Sequence, residues 1–268
     1  IGATKPSLNI SSDWWNGLTE LTKNDVITGK TTYEKDVVNW GQSVTTTNGD
    51  DVISIGELNG RIDTGLGDDK IYISKELSNN GSTINAGDGN DTVLLAKDVN
   101  SNVDLGVGND RLDIKGNLGS TINAGSGDDK IFIKGSASQN STINLGEGNN
   151  ELHVKGDVGI VNGGSVADTV LVEGSTTNTV NLGAGNNELH IKGNAGSTIT
   201  TGSGADKVFV DGNISNYVNL GAGDDYLEIG GKLTANNTYL DGGDGTDSLY
   251  LKDYTKQQYE SDFVANYQ

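Results

Sequence analysis

At 268 residues, with 40 glycines, a 33% hydrophobic share and a formal charge of −19, the chain lacks the make-up of an ordinary packed globule, whose apolar share is usually ~45–50%. That charge argues against nucleic acid or anionic membrane as partner, since both need a basic patch, and makes a cation the natural complement. Cysteine is absent, which removes disulfides and thiolate metal sites, and no apolar run approaches the ~20 residues of a membrane span.

Residues 1–45 fit no repeat well. Ser12-Asp13 ahead of Trp14, Trp15, Leu18 and Leu21 reads as an N-cap and a short amphipathic helix interrupted by Gly17. All three tryptophans, Trp14, Trp15 and Trp40, fall in this segment. A stack of coils exposes an apolar end and unpaired strand edges at its first turn, so 1–45 is expected to be an N-terminal cap or linker. A remnant of a preceding domain is the alternative. The start at Ile1, with no signal-peptide pattern, suggests a fragment or a processed form.

From 46 to 252 one pattern recurs. It is clearest at Ala124-Gly125-Ser126-Gly127-Asp128-Asp129-Lys130-Ile131-Phe132-Ile133, a two-glycine loop running through acidic residues into alternating apolar positions. Other copies include Gly65-Leu66-Gly67-Asp68-Asp69, Gly106-Val107-Gly108-Asn109-Asp110 and Gly221-Ala222-Gly223-Asp224-Asp225. The last position forms a column: Asp51, Asp69, Asp91, Asp110, Asp129, Asn150, Asp168, Asn187, Asp206, Asp225 and Asp247. Its members stand 18 to 22 residues apart, most often 19. A near-constant step of that size marks a solenoid.

Each coil offers two short strands. One follows the acidic turn, with inward pairs such as Ile71/Ile73, Leu112/Ile114, Ile131/Ile133 and Leu189/Ile191; the other precedes the next acidic turn, as in Thr121-Ile122-Asn123. The expected fold is all-β, a parallel β-roll or right-handed β-solenoid of about eleven ~19-residue coils with a small N-terminal cap. At ~4.8 Å per rung, eleven coils make a rod on the order of 50 Å long. The extra residues of the longer coils are expected to bulge at the second turn, at 76–81, 136–141 and 231–238. One edge is then acidic, and the opposite edge carries Lys115, Lys134, Lys155 and Lys192. Residues 253–268, with Tyr254, Tyr259, Phe263 and Tyr267, read as the start of a C-terminal cap.

A column of aspartates one rung apart repels itself unless cations lie between the rungs. Calcium suits it, taking six to eight hard oxygens from carboxylates and backbone carbonyls, whereas magnesium demands a strict octahedron and keeps its waters. Eleven turns leave at most ten gaps, and ten divalent ions would nearly neutralise the chain. The competing reading is that Asx and Gly simply make good turns; it does not require aspartate at one column.

These turns resemble the repeats-in-toxin (RTX) nonapeptide, Gly-Gly-x-Gly-x-Asp-x-(large apolar)-x, over roughly three-quarters of the chain. The resemblance implies a right-handed parallel β-roll with calcium between successive turns, type I secretion and folding triggered by extracellular calcium. It places the metal ligands on the column from Asp51 to Asp247, with Asn150 and Asn187 as weaker substitutes. RTX coils usually carry the motif on both turns; here one turn carries it, which implies several ions in a single row, as in the longer-repeat solenoids of large surface adhesins.

The expected function is a non-enzymatic, calcium-dependent structural module of a secreted bacterial surface protein, either a surface-layer protein or an adhesin, with self-association or a cell-surface partner. The alternative is the C-terminal secretion and folding module of an exported toxin, protease or lipase. No acid/base pair or nucleophile motif supports a catalytic role. His153 and His190, two coils apart with Leu171 between, read as ordinary surface histidines, and Tyr72, Phe132, Phe209 and Tyr250 as scattered outward aromatics. Ice binding, performed by some related adhesin solenoids through regular threonine columns, is poorly matched. The loop column is irregular, and Arg61, Asn102, Ile160, Tyr217 and Tyr239 interrupt the row Thr83, Thr121, Thr142, Thr179 and Thr198.

One turn deviates. In Gly163-Gly164-Ser165-Val166-Ala167-Asp168, Val166 takes the place of the second glycine. A β-branched residue is badly strained at positive φ, so the loop is expected to change path. The gaps between Asn150, Asp168 and Asn187 are then expected to bind calcium weakly or not at all.

Overall fold

The computed structural model describes residues 32–39, 41–46, 48–78, 81–234, 238–252, 254, 255 and 257. The expected helix around Trp14 and most of the segments 1–45 and 253–268 lie outside the described residues.

Two short strands per coil stack into two parallel sheets of a right-handed solenoid. The odd-numbered strands, from β1 (Thr32–Val38) to β23 (Ser248–Leu251), form one sheet of twelve; the even-numbered strands, from β2 (Ser43–Thr45) to β22 (Leu240–Asp241), form the other, of eleven. Each strand pairs in sequence order with the same strand of the next coil, as when Ile131 in β11 (Lys130–Ile133) faces Leu112 in β9 (Arg111–Ile114) and Leu152 in β13 (Glu151–Val154). Among the described residues the ladders begin at Thr32, inside the segment read from sequence as a cap or linker.

The core is a thin apolar seam. Ile71, Ile73, Leu112, Ile114, Ile131, Ile133, Leu189 and Ile191 from the odd strands meet Ile62, Ile84, Val103, Ile122, Ile143 and Val180 from the even ones, all fully buried. A third apolar column closes the seam at the second turn: Leu77, Val99, Leu118, Ala137, Val158, Ala195 and Ile214. Because each rung of the apolar seam packs against the rungs beside it, a hole in one rung cannot be refilled from elsewhere. Ile131→Ala should therefore cost about 2–5 kcal/mol, measurable as a lowered urea midpoint in calcium.

Where the described residues cover a longer coil, the extra residues sit at the second turn as expected. The Ser141 N–H donates to Ser138 O across a small turn, and Thr142 still pairs in register with Thr121.

The outer face of the odd-strand sheet differs from the expectation. His153 and His190 are buried, not surface histidines, and Phe132, Leu171 and Phe209 are buried with them. Phe132 meets His153 edge-on at 4.8 Å, and Phe209 lies 6.1 Å from His190 and 5.6 Å from Tyr226. Long charged side chains from the flanking columns fold over this stripe. Lys115 and Lys155 place Nζ 6.0 and 5.5 Å from the Phe132 ring, and Lys192 reaches Glu173 at 3.8 Å. Lys115 and Lys155 thus turn back over the sheet, with their ammonium groups above the Phe132 ring, and do not stand free along the far edge.

Candidate metal centre

The acidic turn is built by its two glycines. Gly125 and Gly127 have φ of 101° and 125°, a region side chains other than glycine rarely adopt. A Cβ at Gly127 would also run into the carbonyl oxygen of Gly108 in the coil before. The same pair of positive-φ glycines recurs at 65/67, 87/89, 106/108, 146/148, 183/185, 202/204, 221/223 and 243/245. Gly127→Ala should unfold the central coils by combining backbone strain with that collision, read as loss of β-sheet signal under conditions where the parent is folded.

The loop turns the column side chains inward. Asp69, Asp91, Asp110, Asp129, Asn150, Asp168, Asn187, Asp206 and Asp225 are all at most 2% exposed. Each accepts, on Oδ1, the backbone N–H of the column residue one coil earlier: Asp91 N–H to Asp110 at 2.7 Å, Asp110 N–H to Asp129 at 2.8 Å, Asp129 N–H to Asn150 at 2.9 Å. Asp51 enters the series by donating its N–H to Asp69, and Asp247 ends it by accepting from Asp225. Asp247 itself is exposed.

One oxygen of each carboxylate is thereby used, and in six of them the other is not. Oδ2 of Asp69, Asp91, Asp110, Asp129, Asp206 and Asp225 is buried without a hydrogen-bond partner. Burial pushes the carboxyls of Asp91, Asp110 and Asp129 up to about 7, those of Asp168 and Asp206 to about 6, and those of Asp69 and Asp225 upward. Buried charges are normally paired or bound to metal, so a file of orphaned oxygens calls for a cation. Among the described residues no three His, Cys, Asp or Glu side chains form a metal cluster. The remaining donors must be backbone carbonyls, and among the described residues the carbonyls of Gly89, Gly108 and Gly127 accept no hydrogen bond. Carboxylate plus carbonyl is the hard-oxygen set of a calcium site.

Two further columns escaped the sequence reading. Beside the inward column runs an exposed Asx ladder, Asp50, Asp68, Asn90, Asn109, Asp128 and Asn149, in which each side chain from Asp50 to Asp128 accepts the backbone N–H of the member one coil later at 2.7–2.9 Å. On the second turn the side chains of Asp98, Asn117, Ser136, Asp157, Ser175, Asn194 and Asn213 likewise accept the backbone N–H one coil later, at 2.7–3.1 Å. Both are visible as small polar residues at a fixed step, but their mixed identities hide them.

No protein-family model matches this sequence, and no curated protein does. A solved structure is similar: the hyperactive, Ca2+-dependent, β-helical antifreeze protein from an Antarctic bacterium, with 30% identity, a TM-score of 0.64, and coverage of 90% of this chain and 88% of that one. This chain belongs to the same family of β-helices. In this β-helix the described residues include no helix long and apolar enough to cross a membrane.

Proposed function

We propose that this β-helix is a non-enzymatic, calcium-dependent structural module of a secreted bacterial surface protein, a surface-layer protein or an adhesin, in which a row of calcium ions holds one edge of the rod. The observation that carries the reading is the file of six buried column carboxylates, each with one oxygen unpartnered. The RTX-like turn and the calcium dependence of the similar antifreeze protein support it. Bound ions supply the positive charge that lets these carboxylates stay ionised while buried; the chain's own glycine turns aim them and exclude water. The candidate ligands are the inward column, Asp51 to Asp247, with the glycine carbonyls. If the rod is a surface-layer element, millimolar calcium should produce ordered sheets visible by electron microscopy. A strictly monomeric sedimentation profile at high protein and calcium would count against it.

Ice binding is the second reading, favoured by the similar antifreeze protein. Its surface requirement is poorly met. Between the paired glycines lie Leu66, Val107, Glu147, Ala184 and Asp244, of which Leu66 and Val107 are exposed apolar side chains. On the even-strand sheet, Tyr217 stacks on Tyr239 at 5.4 Å and ends the threonine row. The calcium-loaded chain should show no thermal hysteresis; a clear freezing gap would favour ice binding over the scaffold.

A further inference from the structure

The row of orphaned oxygens is not continuous. Four consecutive carboxylates, Asp69 to Asp129, leave Oδ2 unpartnered, and so do Asp206 and Asp225; the three rungs between them leave none. At Asn150, Oδ1 accepts the Asp129 N–H, which puts the amide nitrogen where the other rungs carry Oδ2. That nitrogen donates to Gly148 O at 3.1 Å and to Asp168 Oδ1 at 3.0 Å. At Asn187 the same nitrogen donates to Gly185 O at 3.1 Å and Thr201 O at 3.2 Å. Each amide thus binds the carbonyl of its turn's second glycine and an oxygen of a neighbouring rung.

The rung between them closes by a different route. No residue of the turn 163–168 has positive φ, so Val166 is accommodated by a changed loop path. The bridges that link Ser126 to Glu147, and Ala184 to Ser203, are missing at Ser165. The rerouted backbone brings the Gly164 N–H to Asp168 Oδ2 at 3.4 Å, filling with a donor the oxygen that is free elsewhere. The strands do not notice: β15 (Thr169–Val172) pairs in register with β13 and with β17 (Glu188–Ile191).

We infer that Asn150, Asp168 and Asn187 form a metal-independent plug, whose N–H groups take the place of calcium and divide the row into two separate ion cassettes. An N–H donor and a cation make the same demand on a ring of oxygens, and a neutral amide meets it without adding charge. The plug is one rung wider than the sequence suggests, because the Asn187 amide also closes the gap toward Asp206. The central coils should then stay folded when calcium is stripped from both flanks, giving each cassette a preformed end to grow from. This rests on the calcium reading.

The test is ion counting on the intact chain by native mass spectrometry, with anomalous scattering from calcium-grown crystals. Anomalous peaks are expected beside Asp69 to Asp129 and beside Asp206 and Asp225, with none beside Asn150, Asp168 or Asn187. Asn150→Asp should gain one ion per chain, and Asp110→Asn should lose one while keeping its β-sheet signal. Peaks through all the central gaps, or an unchanged ion count in Asp110→Asn, would overturn the plug and leave the calcium row standing. A wild-type chain that binds no calcium overturns the calcium reading itself. If Asn150→Asp does not fold, the wild-type peaks and Asp110→Asn still decide.

Discussion

Excess chelator at pH 8 should abolish most of the β-sheet circular dichroism of this chain, and millimolar calcium should restore it. Six column carboxylates each bury an oxygen with no partner. An unpaired buried charge costs several kcal/mol even after relaxation, whereas a domain's whole stability is about 5–15 kcal/mol. Six such charges outweigh the seam of Ile, Leu and Val that opposes them, unless a cation is present. Binding free energy then becomes folding free energy, and the midpoint should depend on calcium concentration. The residual signal in chelator should come from the coils around Asn150 to Asn187, where hydrogen exchange should be slowest. A full β-signal in chelator at this pH would sink the idea.

Acid should replace calcium. Burial raises seven column carboxyls, those of Asp91, Asp110 and Asp129 to about 7. A carboxyl raised on folding binds protons that the unfolded chain releases. The stability it contributes is fully present below the ordinary value of 3.8 and is lost as pH rises toward 7. His153 works the other way: burial holds it down to about 4, so its contribution falls as pH drops from 6.5. Glu57 and Asp128, held below the usual carboxylate range by hydrogen bonds from Asn59 and Asn149, also lose their contribution toward acid, but both face solvent, and the seven buried column carboxyls decide the sign. In chelator the chain should therefore refold on titration from pH 8 to about 4.5, with more than one proton taken up across the transition. Steady loss of β-signal toward acid would refute this. With calcium bound the order reverses, because protons then compete for the same oxygens.

Most of the architecture is legible because a solenoid writes its geometry as a period. The column from Asp51 to Asp247 sets the coil, and the alternation around Ile131 and Ile133 sets the inward face. The break at Val166 is legible too, because one residue type is excluded from one backbone region. What is hidden depends on neighbours one rung away. His153 and Phe132 meet edge-on in space but are 21 residues apart in sequence, and Lys115 and Lys155 bend over the Phe132 ring from other coils. The amide of Asn150 reads in sequence as a weaker ligand; its donation to Gly148 O turns it into a replacement for the ion. The third apolar column, Leu77 to Ile214, is one isolated residue per coil, too short to register as a strand.

The small turn from Ser138 to Ser141 shows that this edge absorbs extra chain without shifting the register of the strands on either side. Growth and trimming of the sequence are therefore one-sided. Foreign peptides grafted between Ser138 and Ser141 would be displayed on a rigid mount, whereas the same graft between Gly125 and Gly127 would destroy it. A rod of this design can diversify what it presents along one edge while the other stays fixed.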